Sequence, residues 1–222
     1  MQYLMMPLDE HYDFGFGTTA EAFFGAARLL DEKNQGNFFF EHLPRNFLLR
    51  HAIELFLKSG IVIIHRILKL PYGDSHFDSK PMVLVDAKWK PFHQVHSVGY
   101  LYGHWKDLIA QNADKLKALC KYKPDWTIPA ELDDWITTIE KTDPGSTYYR
   151  YPANRDSNED KMKSPFKETG QNDIFPPDLP EGKKVKAFVI ENEKSASLYA
   201  PLSTMNLPKK LRPRHFLRPQ IF

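Results

Sequence analysis

Only one cysteine, Cys120, occurs in 222 residues. No disulfide can form within the chain, and no cysteine-rich zinc site can be built. A reducing compartment suits such a chain, so the cytoplasm is the expected location. Long apolar runs are missing too. The longest, Gly60 to Ile64, is far short of the roughly 20 residues a membrane-spanning helix needs, so no membrane partner is expected. The opening MQYLMMPLDEHYD is too short and too acidic for a signal peptide. There is no glycine-rich phosphate loop: Gly15-Phe16-Gly17 lacks a third glycine and a preceding strand. No GxSxG element, no paired carboxylates in a defined context and no internal repeat are present. Nothing in the chain calls for a cofactor.

What is present is a core. Hydrophobic residues make up 42% and aromatics 14%, including sixteen Phe, ten Tyr and four Trp, which excludes wholesale disorder. The length fits one ordinary domain with an appendage. Charge is unevenly spread. Residues 183–222 hold nine Lys/Arg against two acids, a net +7. With +2 for the whole chain, the first 182 residues carry −5. The arrangement is an acidic body with a basic tail.

Hydrophobic spacing predicts four helices, at about 18–33, 44–70, 96–121 and 129–141. Thr18-Thr19-Ala20-Glu21 fits a capping box for the first. Asn34 to Gly36 is expected to end that helix. Pro44 suits the first turn of the second, and Pro71 follows its end. The third carries Val98, Leu101, Trp105, Leu108, Ile109, Leu116 and Leu119 in helical phase. Pro129 opens the fourth, with Glu131, Asp133 and Asp134 near its positive end. Short connections predict mainly antiparallel packing, with the second helix central. Between the second and third helices, Met82 to Val85 reads as a strand or part of a small hairpin. After the fourth helix STYYRYP reads as extended, residues 152–182 as loop, and Val185–Ile190 with Ser197–Leu202 as a β-hairpin.

The segment from Pro44 to Leu70 is the most informative. Arg50, Glu54 and Lys58 are four residues apart, so they share one helix face. Two accounts compete: an exposed ion-pair ladder, or a partly buried Glu54 satisfied from outside its helix by His96 or Arg150. The second would fix the register of helices against the segment around Arg150, and it is the expected one. Arg50, Glu54, Lys58, His96 and Arg150 therefore form the expected structural polar network.

Three motifs in order carry a resemblance. They are Arg50-His51-Ala52-Ile53-Glu54-Leu55-Phe56-Leu57-Lys58, then His96-Ser97-Val98-Gly99-Tyr100-Leu101, then Asp143-Pro144-Gly145-Ser146 leading into Tyr149-Arg150-Tyr151-Pro152. Together they resemble uncharacterised bacterial proteins with a HEPN-like helical domain, over about residues 18–152. Ser97 stands where that pattern has an acid. The resemblance implies a mainly α protein: an antiparallel four-helix HEPN-like bundle over residues 1–152. Residues 153–222 then form an irregular segment with the hairpin and a basic C-terminal arm. It also implies a toxin–antitoxin or phage-defence setting and a homodimer. Active members of the family are metal-independent ribonucleases with an Arg, four to six residues, and a His. Arg45, Asn46 and His51 have that spacing, but on the second helix rather than a late one. They are the candidate catalytic set, with imidazole as acid/base and guanidinium for phosphorane charge.

Two other groups complete the candidates. His93, His96 and His104 invite a metal reading, but no cysteine and no clear third ligand completes a set, so no metal is expected. Lys209, Lys210, Arg212, Arg214 and Arg218, beside His215 and Phe216, can bind nucleic-acid phosphates or dock on protein. The expected function is a non-catalytic helical interaction module with a protein partner. The runner-up is a metal-independent endoribonuclease acting on RNA, and the third reading is a purely structural or oligomerisation protein.

Overall fold

Asp13 sets the first helix, not Thr18. Its carboxylate accepts from Gly15 N at 3.1 Å and from Gly17 N at 2.7 Å. These are amide groups that a helix start leaves without partners. The helix, α1, therefore begins at Phe16 and runs Phe16–Lys33. Thr18 pairs instead with His11 Nδ1 at 3.3 Å. These details come from a computed structural model that describes residues 6–33, 42–119, 126–151, 153, 157–164, 166–168, 188–192 and 195–201. Asn34 to Gly36 and the basic arm, residues 207–222, lie outside the described residues.

The described residues are mainly helical, with two small antiparallel sheets. They divide into two units, residues 1–157 and 158–222. In the first, α2 spans His42–Leu68 and packs along α1. Asp13, before α1, meets Ser59 late in α2 at 2.5 Å, while Asp31 near the end of α1 meets Arg45 at the start of α2 at 2.7 Å. The two helices are thus antiparallel. At its far end α2 closes with Lys69 in the left-handed region at φ 52°. Leu70 N reaches back to His65 O at 2.8 Å and Lys69 N to Arg66 O at 3.4 Å. That double return is a Schellman closure built without glycine.

Next come strands β1, Met82–Val85, and β2, Lys88–Pro91, paired antiparallel with Val85 opposite Lys88. Asp86 and Ala87 take φ of 49° and 61° between them, as a tight two-residue hairpin turn requires. The chain then re-enters helix as α3, Val98–Gln111, whose first amides are capped by Ser97 Oγ accepting from Tyr100 N at 3.1 Å. His96 therefore precedes the helix rather than opening it.

The single third helix of the sequence reading is two helices. Asn112 interrupts it, and α4 follows at Ala113–Leu119. The Asn112 amide donates to Leu108 O at 2.9 Å, a local bond that competes with the helical ladder. α5 spans Glu131–Thr142 and runs against α3. Glu140 meets Ser97 and Gly99 at 2.7 and 2.9 Å, whereas Asp133 meets Tyr102 and Lys106 further along.

α2 and α3 depart from the antiparallel expectation. His96 lies at Glu54, Gly60 packs on Trp105, and His65 faces His104. The contacts climb both helices together, so the two run the same way. The reason is the connection: residues 69–97 include the β1–β2 hairpin and carry the chain back along α2 before α3 begins. The main core fills the space between them, with Ile61, Val62, Ile64, Val83, Val85, Leu101, Leu108 and Ile109 buried. Val98, Tyr102 and Ile136 form a second cluster between α3 and α5.

Residues 146–151, read as extended, form a turn instead. Asp143 Oδ1 accepts from Thr147 N at 2.7 Å and Tyr148 N at 2.9 Å, which folds the chain back at once. Within residues 152–182, read as loop, the described residues include α6, Ser157–Lys163, and β3, Phe166–Glu168. The expected hairpin is present with shifted bounds: β4, Phe188–Asn192, pairs with β5, Ser195–Pro201. The strand order is β3-β5-β4, all antiparallel. β3 is too short to leave a periodic signal.

Candidate functional site

Arg50 is the hub of a buried charge set. It sits on α2 with only 2% of its surface exposed, and its guanidinium reaches three parts of the chain. Nη1 donates to Glu54 Oε2 at 3.0 Å, one turn along α2. Nη2 donates to the His96 carbonyl at 2.5 Å, just ahead of α3. Nε donates to the Asp143 carbonyl at 3.3 Å and lies 3.2 Å from its carboxylate, just beyond α5. One side chain thus ties three helices together. The fork of a guanidinium, with five donors, is what permits this.

Glu54 is the second hub. Its Oε1 accepts from Lys58 Nζ at 2.7 Å and from His96 Nδ1 at 3.0 Å. Burial alone would raise its pKa, but Lys58 and His96 outweigh that effect and hold it below the ordinary value. Glu54 is therefore ionised and can only accept, so His96 carries its proton on Nδ1. The His96 side chain is 50% exposed. Buried carboxylate and half-exposed imidazole make a hydrogen-bonded pair with a fixed tautomer. Two buried cations, Arg50 and Lys58, face two buried carboxylates, Glu54 and Asp143, so the interior charges balance.

The structure brings Arg50, Glu54, Lys58 and His96 into direct contact. Arg150 is elsewhere: its guanidinium lies 5.5 Å over the Phe47 ring. Glu54 is satisfied by Arg50, Lys58 and His96 instead, and Asp143, which the sequence offered only within a motif, joins the set as a second carboxylate on Arg50. The available signal was an acid followed, four and five residues later, by amides in a Pro-Gly turn.

Arg45, Asn46 and His51 do not converge. Arg45 pairs with Asp31 at the surface at 2.7 Å, and Asn46 hydrogen-bonds Tyr149. His51 is held by aromatic rings, edge-on to Phe23 at 4.6 Å and parallel to Phe47 at 5.9 Å. Burial lowers its pKa; Glu54 opposes this, while Lys58, Arg150 and Arg50 reinforce it. Its buried Nδ1 has no hydrogen-bond partner. Six residues along a helix turn the side chain by roughly 120° from where it started, so Arg45 and His51 cannot grip one phosphate from the same chain.

The other histidines divide. His93 is exposed, whereas His104 is buried among His65 and Trp89, with ring centroids 5.8 and 5.5 Å away. Burial, then the neighbouring His65, pushes the His104 pKa down to about 4. His65 donates Nδ1–H to Leu70 O at 2.9 Å, stacks on Tyr72 at 4.1 Å and is likewise shifted down by burial. Among the described residues no three His, Cys, Asp or Glu side chains gather as metal ligands. No described helix is long and apolar enough to cross a membrane. Lys209, Lys210, Arg212, Arg214 and Arg218 lie outside the described residues. No protein-family model, no curated protein and no solved structure matches this chain.

Proposed function

We propose that this chain is a HEPN-like helical interaction module, non-catalytic at Arg45, Asn46 and His51, that acts by binding protein in a bacterial defence or toxin–antitoxin setting. The observation that supports it best is where those three residues are engaged. Arg45 is paired to Asp31, Asn46 to Tyr149, and His51 is wedged between Phe23 and Phe47. Groups engaged within the fold have little left to offer a scissile phosphate. A cytoplasmic homodimer is the expected working form.

The ribonuclease reading retains two supports, the unpartnered Nδ1 of His51 and the unpartnered Nε of Arg45. Incubating the purified protein with RNA in EDTA decides between the two readings. Little or no cleavage is expected. Robust cleavage that disappears in His51→Ala would replace the present reading with the metal-independent nuclease.

A further inference from the structure

Between α2 and β1 the chain crosses the surface as a strap, residues 71–80. Tyr72 is its one buried side chain, with 1% of its surface exposed. The Tyr72 ring stacks on His65 of α2 at 4.1 Å and stands edge-on to Trp89 of β2 at 6.0 Å. His104 of α3 packs behind both, 5.8 Å from His65 and 5.5 Å from Trp89. Gly73 follows at φ 61°, and a Cβ there would come within 2.6 Å of the Trp89 ring, so the strap lies close on its seat. Among the described residues little else holds it. The Tyr72–Ser75 bridge is internal to the strap, and Asp78, 57% exposed, meets Arg66 at only 3.6 Å.

The seat suits neutral rings and no others. His65 Nε2, His104 Nε2 and the Tyr72 hydroxyl are buried without hydrogen-bond partners. His65 Nδ1–H is committed to Leu70 O, so a proton gained by that ring goes to Nε2, where no acceptor meets it. The titratable and charged groups facing the cluster come from three elements. From α2 these are His65 and Arg66; from the strap, Tyr72 and Asp78; from α3, His104; β2 presents the uncharged Trp89. Asp78, the carboxylate of this set, is drawn to Arg66 and His76 and not to either buried imidazole.

We infer that residues 71–80 are an acid-released strap: proton uptake by His65 and His104 drives Tyr72 from its seat and frees the strap, while the helices and the β1–β2 hairpin stay packed. Closed, two imidazolium rings would stand 5.8 Å apart in a low-dielectric interior. Open, the imidazoles and the Tyr72 hydroxyl reach water, and the cost of their unpartnered burial is recovered. One large side chain has to leave, so the opening is local. Val83 and Val85 of β1, by contrast, are 0% and 3% exposed in the main core and hold the hairpin. Burial sets His104 at about 4 against an ordinary 6.5. Full hydration of that ring on opening would raise the open fraction roughly 30-fold between about pH 7.5 and 5, and His65 acts in the same direction.

The inference is independent of the interaction-module reading. Amide hydrogen exchange on the full chain, followed residue by residue with and without low urea, tests it. The Tyr72 and Ser75 amides bridge the strap at 2.9 and 3.0 Å. After correction for the intrinsic pH dependence of exchange, their opening should rise at least about tenfold between about pH 7.5 and 5. It should not depend on urea, since little surface is exposed. Amides of β1 and of the middle of α2 should open at least about tenfold less often at both pH values. In the His65→Phe, His104→Phe double variant, which keeps two rings but cannot titrate, the acid rise should fall below about twofold. Tyr72→Phe keeps the ring and drops only the unpartnered hydroxyl, so it folds even if the double variant does not. Its strap should open at least about threefold less often than that of wild type. Strap amides that open no more often than those of β1, an acid rise that survives in the double variant, or a strap that opens more often in Tyr72→Phe overturns the inference.

Discussion

Around Arg50 and Glu54 the protein buries charges; further along the same helix, around His65, it buries neutral rings. In the first region every buried ion has an opposite charge within 3.2 Å, drawn from α2 and from the residue that follows α5. In the second, His65 Nε2, His104 Nε2 and the Tyr72 hydroxyl are buried without hydrogen-bond partners. The rings pack against one another and Trp89. Low dielectric explains both choices. An ion survives burial only when paired, whereas an imidazole can survive by giving up its proton. The first region therefore gains register and the second gains packing, and they should fail under different insults.

The largest effect should come from breaking the charge set. Glu54→Ala leaves Arg50 and Lys58 buried without their shared carboxylate, at a cost of about 3–5 kcal/mol. Urea denaturation measures it. An unchanged midpoint would show that the ions are not coupled to folding, and the contrast between the two regions would vanish.

Acid should act mainly on the neutral region. The folded pKa of His104 is about 4 against an ordinary 6.5. As the pH falls below 6.5 the unfolded chain takes up a proton that the folded one refuses, so stability declines until about pH 4. The loss is about 3 kcal/mol from this ring alone. His65 adds in the same direction, its pKa also being lowered. His104→Phe keeps the edge-on contact with Trp89 but cannot titrate. Its melting temperature should change less with pH over that window than that of wild type. Equal slopes in the two proteins would place the acid sensitivity elsewhere. Glu54 contributes only at lower pH, since its folded pKa is depressed and its stabilisation is lost below the usual carboxylate range.

The smallest effect sharpens the picture of how the neutral region is closed. Lys69 holds φ 52° beside His65 and Leu70. A non-glycine residue there costs roughly 1–2 kcal/mol, while glycine gives back roughly 0.5–1 through unfolded-state entropy. Lys69→Gly should therefore raise stability by about 0.5 kcal/mol, seen as a small increase in melting temperature. A decrease would mean that the lysine side chain makes a contact worth more than its backbone strain.

The sequence by itself determined the helices and the local half of the charge set. Apolar spacing of 3.6 residues is written along the chain, so α1, α2, α3 and α5 were readable, as was the Arg50–Glu54–Lys58 ladder at four-residue steps. His96 could be named as a partner for Glu54 because its motif accompanies the ladder. Tertiary structure alone decided the rest. That Asp143 completes the set, and that Arg150 does not, depends on where a turn places two residues far along the chain from Arg50. That α3 runs parallel to α2 depends on a hairpin-bearing connection long enough to retrace the helix. Asn112 divides α3 from α4 through a side-chain bond whose strength against the helix is set by its burial. Periodicity reports which face of an element seeks cover. It carries no record of which distant group will provide it, because that choice is made only when the elements pack and each buried charge must find its opposite.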